Sequence, residues 1–123
     1  MSEAQSRTFR ITDAATGSIV AESAVEASSW RGRLLGLIGR KRLERGEALW
    51  LPANGVHTFG MRFPIDIVVL DRTGRVLRVA PCVPPNRIIW PTGGGRVTLE
   101  LAAGTLKAIR LTVGSVLRRS DSA

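Results

Sequence analysis

Residues Thr8–Thr12 alternate polar and apolar side chains, Thr-Phe-Arg-Ile-Thr, the period-two pattern of a half-buried strand. Asp13-Ala-Ala-Thr-Gly17 follows, with Asp to open a turn and Gly to close it. Ser18–Val25 reads as the returning strand, so the N-terminal part of the chain predicts a β-hairpin. The period then changes. Ser28 and Ser29 are suitable N-caps, and Trp30, Leu34, Leu37 and Ile38 fall on one helical face. Gly32, Gly36 and Gly39 each cost about 1 kcal/mol inside a helix. The helix is therefore short and ends near Gly39, with Arg40–Arg45 as an exposed basic turn.

Beyond it the chain is again strand-like. Glu47–Leu51 is a strand, Pro52–Gly55 a loop, and Val56–Met61 a short extended piece. Pro64 lacks a backbone donor and opens a strand. Ile65–Leu70 is the most strand-like run. Asp71–Gly74 is its hairpin turn and Arg75–Ala80 its partner, with Val76 and Leu77 as packing positions. Four prolines around Cys82–Trp90 predict an irregular loop, and Gly93–Gly95 a turn. Arg96–Leu101 puts Val97, Leu99 and Leu101 on one face. Thr105–Arg110 is either a helical turn or a strand, and Ser115–Leu117 is a last strand after Gly114. The fold class expected is mainly β with one short helix, as a small antiparallel barrel or rolled sheet. It forms a single domain over 8–118, with 1–7 disordered and 119–123 frayed.

Composition narrows this picture. The chain has 123 residues and is 44% hydrophobic, which suits one globular domain. A single cysteine, Cys82, excludes an intramolecular disulfide. The longest apolar run, Ile65–Leu70, is interrupted by Asp66 and falls far short of the ~18–20 residues of a membrane span. The N-terminus MSEAQSRTFR has no apolar leader. The expected location is the cytoplasm, and the expected state a monomer. The net charge is +8, but of 18 basic residues only Lys41 and Lys107 are lysines, a bias that GC-rich codons alone can produce. Position says more than the total. Arg31, Arg33, Arg40, Lys41, Arg42 and Arg45 face only Glu44, whereas residues 1–30 carry more acid than base. That basic segment is a candidate anion-binding surface.

Two stretches are distinctive together. One is Arg33-Leu-Leu-Gly36-Leu37-Ile38-Gly39-Arg40, followed by Leu43 and Gly46. The other is Val56-His57-Thr58-Phe59-Gly60-Met61-Arg62-Phe63-Pro64-Ile65-Asp66-Ile67-Val68-Val69-Leu70-Asp71. With Leu99-Glu100-Leu101-Ala-Ala-Gly104, they resemble the signature elements of the bacterial and archaeal "domain of unknown function 192" family, across residues 8–118. The resemblance implies a compact β-rich domain and no reaction. Many relatives are exported, although this chain shows no leader. Related chains often carry Pro-Cys where this one has Pro52-Ala53, and Gly-Asp where it has Gly114-Ser115. Both departures weaken any thiol-based or acidic-site function taken over from relatives.

Candidate chemistry is sparse. His57 is the sole histidine, and one His with one Cys does not make a metal site. No metal or cofactor is expected. Asp66 lies among apolar neighbours, where a dry carboxylate needs partners. It either accepts backbone N–H groups of the Arg62–Pro64 turn or pairs with His57 or Arg62. No nucleophile elbow or phosphate-binding loop is present, so no catalytic residue is assigned. Trp30, Trp50, Trp90, Phe9, Phe59 and Phe63 are expected in the core. Three readings follow. The first is a non-enzymatic binding module with a groove formed by His57, Thr58, Met61, Arg62, Asp66 and Arg87, facing an unknown protein or small ligand. The second is an anion or nucleic-acid binder using the Arg31–Arg45 segment. The third is a hydrolase-like enzyme using His57 and Asp66 as acid and base.

Overall fold

The computed structural model describes residues 8–27 and 42–121. The predicted helix from Trp30 and the basic residues Arg31, Arg33, Arg40 and Lys41 lie outside the described residues, as do 1–7. The elements are β1 (Phe9–Asp13), β2 (Ile19–Glu26), β3 (Glu47–Leu51), β4 (Val56–His57), β5 (Ile65–Leu70), β6 (Val76–Val83), β7 (Ile88–Ile89), β8 (Val97–Ala102), α1 (Thr105–Ile109) and β9 (Leu117–Asp121). Seven strands form one sheet in the order β6-β5-β8-β3-β2-β1-β9, and β4 pairs with β7 in a small second sheet. Of the ladders, β2–β3 is parallel and the others are antiparallel.

The long sheet curls into a half-barrel, the rolled sheet expected from the strand pattern. Its edge strands meet at one end. Arg75 bridges Val116. Val76 N donates to Ser115 O at 2.7 Å and Leu117 N donates to Gly74 O at 2.8 Å. Gly74 (φ +90°) is required there, because a Cβ would run into the Leu117 carbonyl oxygen. The rest of β9 pairs with β1, up to Phe9 opposite Asp121. Strand β9 runs from Leu117 to Asp121, starting later than Ser115 and continuing past residue 118. Backbone pairing that the local sequence does not encode keeps this segment in place.

Both faces of the sheet are covered. Val68, Leu70, Leu99 and Leu101 pack with Phe9, Ile11, Val20, Leu106 and Leu117 on one face. Ile65, Ile67 and Val69 pack with Leu43, Leu51, Met61, Phe63 and Ile89 on the other. Strand β5 is therefore buried along its length and, apart from Asp66, apolar, as expected of a strand covered on both sides. For the same reason β8 does not alternate in and out. Thr98 and Glu100, on the face opposite Leu99 and Leu101, are buried as well, with Glu100 opposite Leu49 and Ile67. Val76 and Leu77, both expected to pack, point to opposite sides. Val76 is buried and Leu77 half-buried.

Arg119 fixes the last strand to the rest. Its guanidinium lies 3.6 Å from the Phe9 ring centroid and 4.9 Å from that of Trp50. It also donates to Glu26 Oε1 at 2.8 Å. Arg119→Ala should lower stability by about 1–2 kcal/mol in urea denaturation, with Arg119→Lys recovering only part of it, since an ammonium lacks the planar stacking face.

The β5–β6 turn is organised by Asp71. Its Oδ1 accepts from Thr73 Oγ1 (2.7 Å), Thr73 N (2.8 Å) and Arg75 N (3.0 Å). The Thr73 hydroxyl, then the Arg75 and Thr73 amides and the Arg75 charge, hold this carboxyl below its ordinary range against a partial desolvation cost. A depressed folded-state pKa stabilises the fold above the ordinary Asp range and loses that effect as pH falls through it. The stability difference between the wild type and Asp71→Asn should therefore shrink on acidification, as read from urea midpoints across a pH series.

Candidate functional site

The piece after Pro52 and the Pro-rich loop, distant in sequence, fold as one unit. Asn54 joins them first. Its Nδ2 donates to Thr92 O at 2.8 Å and its Oδ1 accepts from Thr92 N at 2.9 Å. Thr98 Oγ1 donates to Ala53 O (2.8 Å) and accepts from Gly55 N (3.0 Å), which ties the unit to β8. The short ladder then sets Val56 against Ile89 and His57 against Ile88. Thr58, buried, closes the unit. Its N donates to Arg87 O, its hydroxyl donates to Pro84 O and accepts from Arg87 N, each at 2.8 Å, and its carbonyl accepts from Asn86 N and Met61 N at 3.2 Å. Asn86 sits at φ 64°, which Asn tolerates better than most residues. The expected irregular loop is thus shorter than predicted. β6 runs on to Val83, and Ile88–Ile89 is a strand.

The outward side of this unit is apolar. Val56 and Ile89 pack toward the core, while Ile88 is exposed. Across from it, the His57 ring stacks on Phe59 at 4.9 Å and 26°. Phe59 N donates to His57 Nδ1 at 3.2 Å, so the neutral ring carries its proton on Nε2. Trp90 follows β7 and, by alternation, shares the side of Ile88. It is 67% exposed, the most open of the large apolar residues described. Core packing, expected for Phe59 and Trp90, fails because Ile89 and Val56 already fill the inward positions. Arg62 and Arg87 are exposed, Arg87 directly before Ile88 and Arg62 three residues after Phe59 in the chain. Among the described residues the Arg87 guanidinium makes only long contacts, 3.4–3.5 Å, to the Asn86 and Pro85 carbonyls.

Asp66 is 0% exposed, on the face of Val68 and Leu70. It touches neither His57 nor the Arg62–Pro64 turn. Its Oδ1 accepts from Cys82 N and its Oδ2 from Leu106 N, each at 2.8 Å. The local ladder explains the first bond. Ile65 faces Val83 but Ile67 faces Ala80, so β6 carries an extra residue, a bulge at Pro81–Cys82. Cys82, at φ 49°, turns its N–H away from the β5 backbone, and the Asp66 side chain receives it. The second bond anchors the first turn of α1. Both oxygens are thus committed to backbone amides inside the protein.

The other candidates disperse. Met61 is a core residue and Cys82 is exposed. Arg42 donates to Glu44 Oε2 at 2.8 Å, and Arg45 is exposed with no carboxylate on it among the described residues. No group of three metal-ligating side chains occurs among the described residues. Glu100 was hidden from sequence reasoning, because Leu99 and Leu101 on either side made it look like a solvent-facing position. Its only signal was the second apolar set, Leu43, Leu51, Met61 and Phe63, which needed a face to cover.

Asp66→Asn offers one oxygen to two facing N–H groups and turns an NH2 toward the other. We expect a loss of about 2–3 kcal/mol in urea denaturation, with faster amide exchange at Cys82 and Leu106 specifically.

Comparison with known proteins agrees with this architecture. A crystal structure of a protein from Sinorhizobium meliloti 1021, described as a "putative transcription regulator", superposes with a TM-score of 0.79 at 19% identity, over 96% of this chain and 98% of that one. A protein of unknown function from Novosphingobium aromaticivorans DSM 12444 superposes with a TM-score of 0.74 at 17% identity, over 90% of this chain and 83% of that one. At such identities the likeness is one of fold. A search of curated proteins finds no significant match. The family described as "Uncharacterized ACR" matches residues 11–119. With its model covering most of the chain, the protein belongs to the domain of unknown function 192 (DUF192) family.

Proposed function

We propose that this DUF192 domain is a non-enzymatic binding module. Its contact surface is the ridge of His57, Phe59, Ile88 and Trp90, and its partner is a protein segment presenting apolar side chains next to carboxylates. The observation that carries this reading is the concentration of outward apolar groups on one small, internally bonded unit, with the exposed Arg62 and Arg87 close to them in the chain. Exposed apolar patches with a polar rim are typical of contact surfaces. Trp and Arg are the residues that most often dominate binding energy. Thr58 and Asn54 fix the backbone beneath the ridge, which lowers the ordering cost of binding. The two cations favour an acidic partner over a basic one.

The acid–base reading has no comparable support, since Asp66 gives both oxygens to amides and lies away from solvent. Four of the six residues of the basic-segment reading are outside the described region.

Selection of displayed peptides on the wild-type domain tests the proposal, with binding measured in parallel to Trp90→Ala and Ile88→Ser. Peptides enriched in apolar and acidic residues should emerge, and Trp90→Ala should weaken them by about tenfold or more while leaving the melting temperature unchanged. Peptides that bind both variants as tightly as wild type would remove the ridge from consideration. Salt-sensitive binding of oligothymidylate in place of any peptide would replace the protein partner with a single nucleic-acid strand.

A further inference from the structure

A recess separate from the ridge opens where α1 meets β2 and the turn into β3. It encloses about 320 Å3, at the small end of the ~300–1,000 Å3 usual for ligand clefts. Ile19, Val20 and Ile109 supply apolar wall, Arg45 and Glu22 supply charge, and Thr105 lies at the base. Three polar groups here are not fully engaged. Arg45 is exposed and carries no ion pair among the described residues. Among the described residues Glu22 is held only by Arg10, at 3.0 Å, in an exposed pair of the kind that contributes little. Thr105 is 2% exposed, and its Oγ1 has no hydrogen-bond partner among the described residues. A buried hydroxyl in that state is destabilising and can be relieved by an acceptor seated in the recess. A larger neighbouring recess of about 430 Å3 shares Arg45, but its other cation, Arg42, is already paired with Glu44 at 2.8 Å.

The geometry points to the smaller recess as a site for a small zwitterion with an aliphatic tail, of the α-amino-acid class. The ligand carboxylate accepts from the Arg45 guanidinium and the Thr105 hydroxyl. The ammonium faces Glu22, and the tail lies against Ile19 and Ile109. The assignment does not depend on the ridge. It rests on a cation, an anion and an unmet hydroxyl meeting in one cleft with apolar walls.

The test is an amide NMR titration of the whole chain with three probes: L-leucine, 4-methylpentanoate (the same tail and carboxylate without the ammonium) and inorganic phosphate. L-Leucine should shift the Gly46, Thr105 and Ile109 amides saturably, and 4-methylpentanoate should bind more weakly. Arg45→Ala should lower the L-leucine affinity about tenfold or more, as expected for loss of a charged hydrogen bond. Thr105→Val should also lower the affinity without lowering the melting temperature, because it removes a hydroxyl that has no partner in the free protein. A purely structural Thr105 would leave the affinity unchanged in that variant. The proposal fails if L-leucine produces no saturable shift, if Arg45→Ala binds it as well as wild type does, or if phosphate competes for the same amides with equal affinity.

Discussion

The carboxylate of Asp66 joins three parts of the fold. It sits on the central strand β5, receives the stray N–H of the β6 bulge and receives an N–H from the first turn of α1. Each of those amides would otherwise be a buried or half-buried donor without a ladder partner. Pro81 has no N–H, so the bulge that accommodates it displaces the next amide, and the acid supplies the acceptor the sheet cannot. Burying polar oxygens is costly, and two short bonds from backbone amides offset that cost. The bend of β6 and the position of α1 both follow from this arrangement.

Much of the fold was legible in the sequence, for local reasons. Alternation and turn chemistry gave both hairpins, with Gly17 and Gly74 at positive φ where a turn was expected. The dryness of Asp66 could be read from its apolar neighbours. Its partners could not, because Cys82 and Leu106 reach it only through sheet pairing 16 and 40 residues away. The same limit hid how far β9 runs, to Asp121, and the pairing of β4 with β7, both fixed by distant strands. Alternation also misleads where a sheet is covered on both sides. The alternation of Val97, Leu99 and Leu101 marks one buried face of β8, but Thr98 and Glu100 on the other are buried too. Aromatic content misled in the opposite direction, since Trp90 and Phe59 are in contact with solvent although their type favours the core.

The two candidate surfaces arise from different parts of the architecture. The ridge is an addition to the sheet, a two-stranded flap held by Thr58 and Asn54, so its outward side chains can vary without disturbing β5 or β8. The recess with Thr105 forms where the helix meets the parallel β2–β3 pair, so its walls belong to the scaffold itself. The two surfaces share no residue, so binding at the first need not deform the second.

The pairing of β1 with β9 has a consequence for how such a domain can be used. Residue 9 lies opposite residue 121, so chain entering and chain leaving emerge side by side. A domain built this way can be spliced into a loop of a larger host, because the gap it must bridge there is no wider than the spacing of two neighbouring strands.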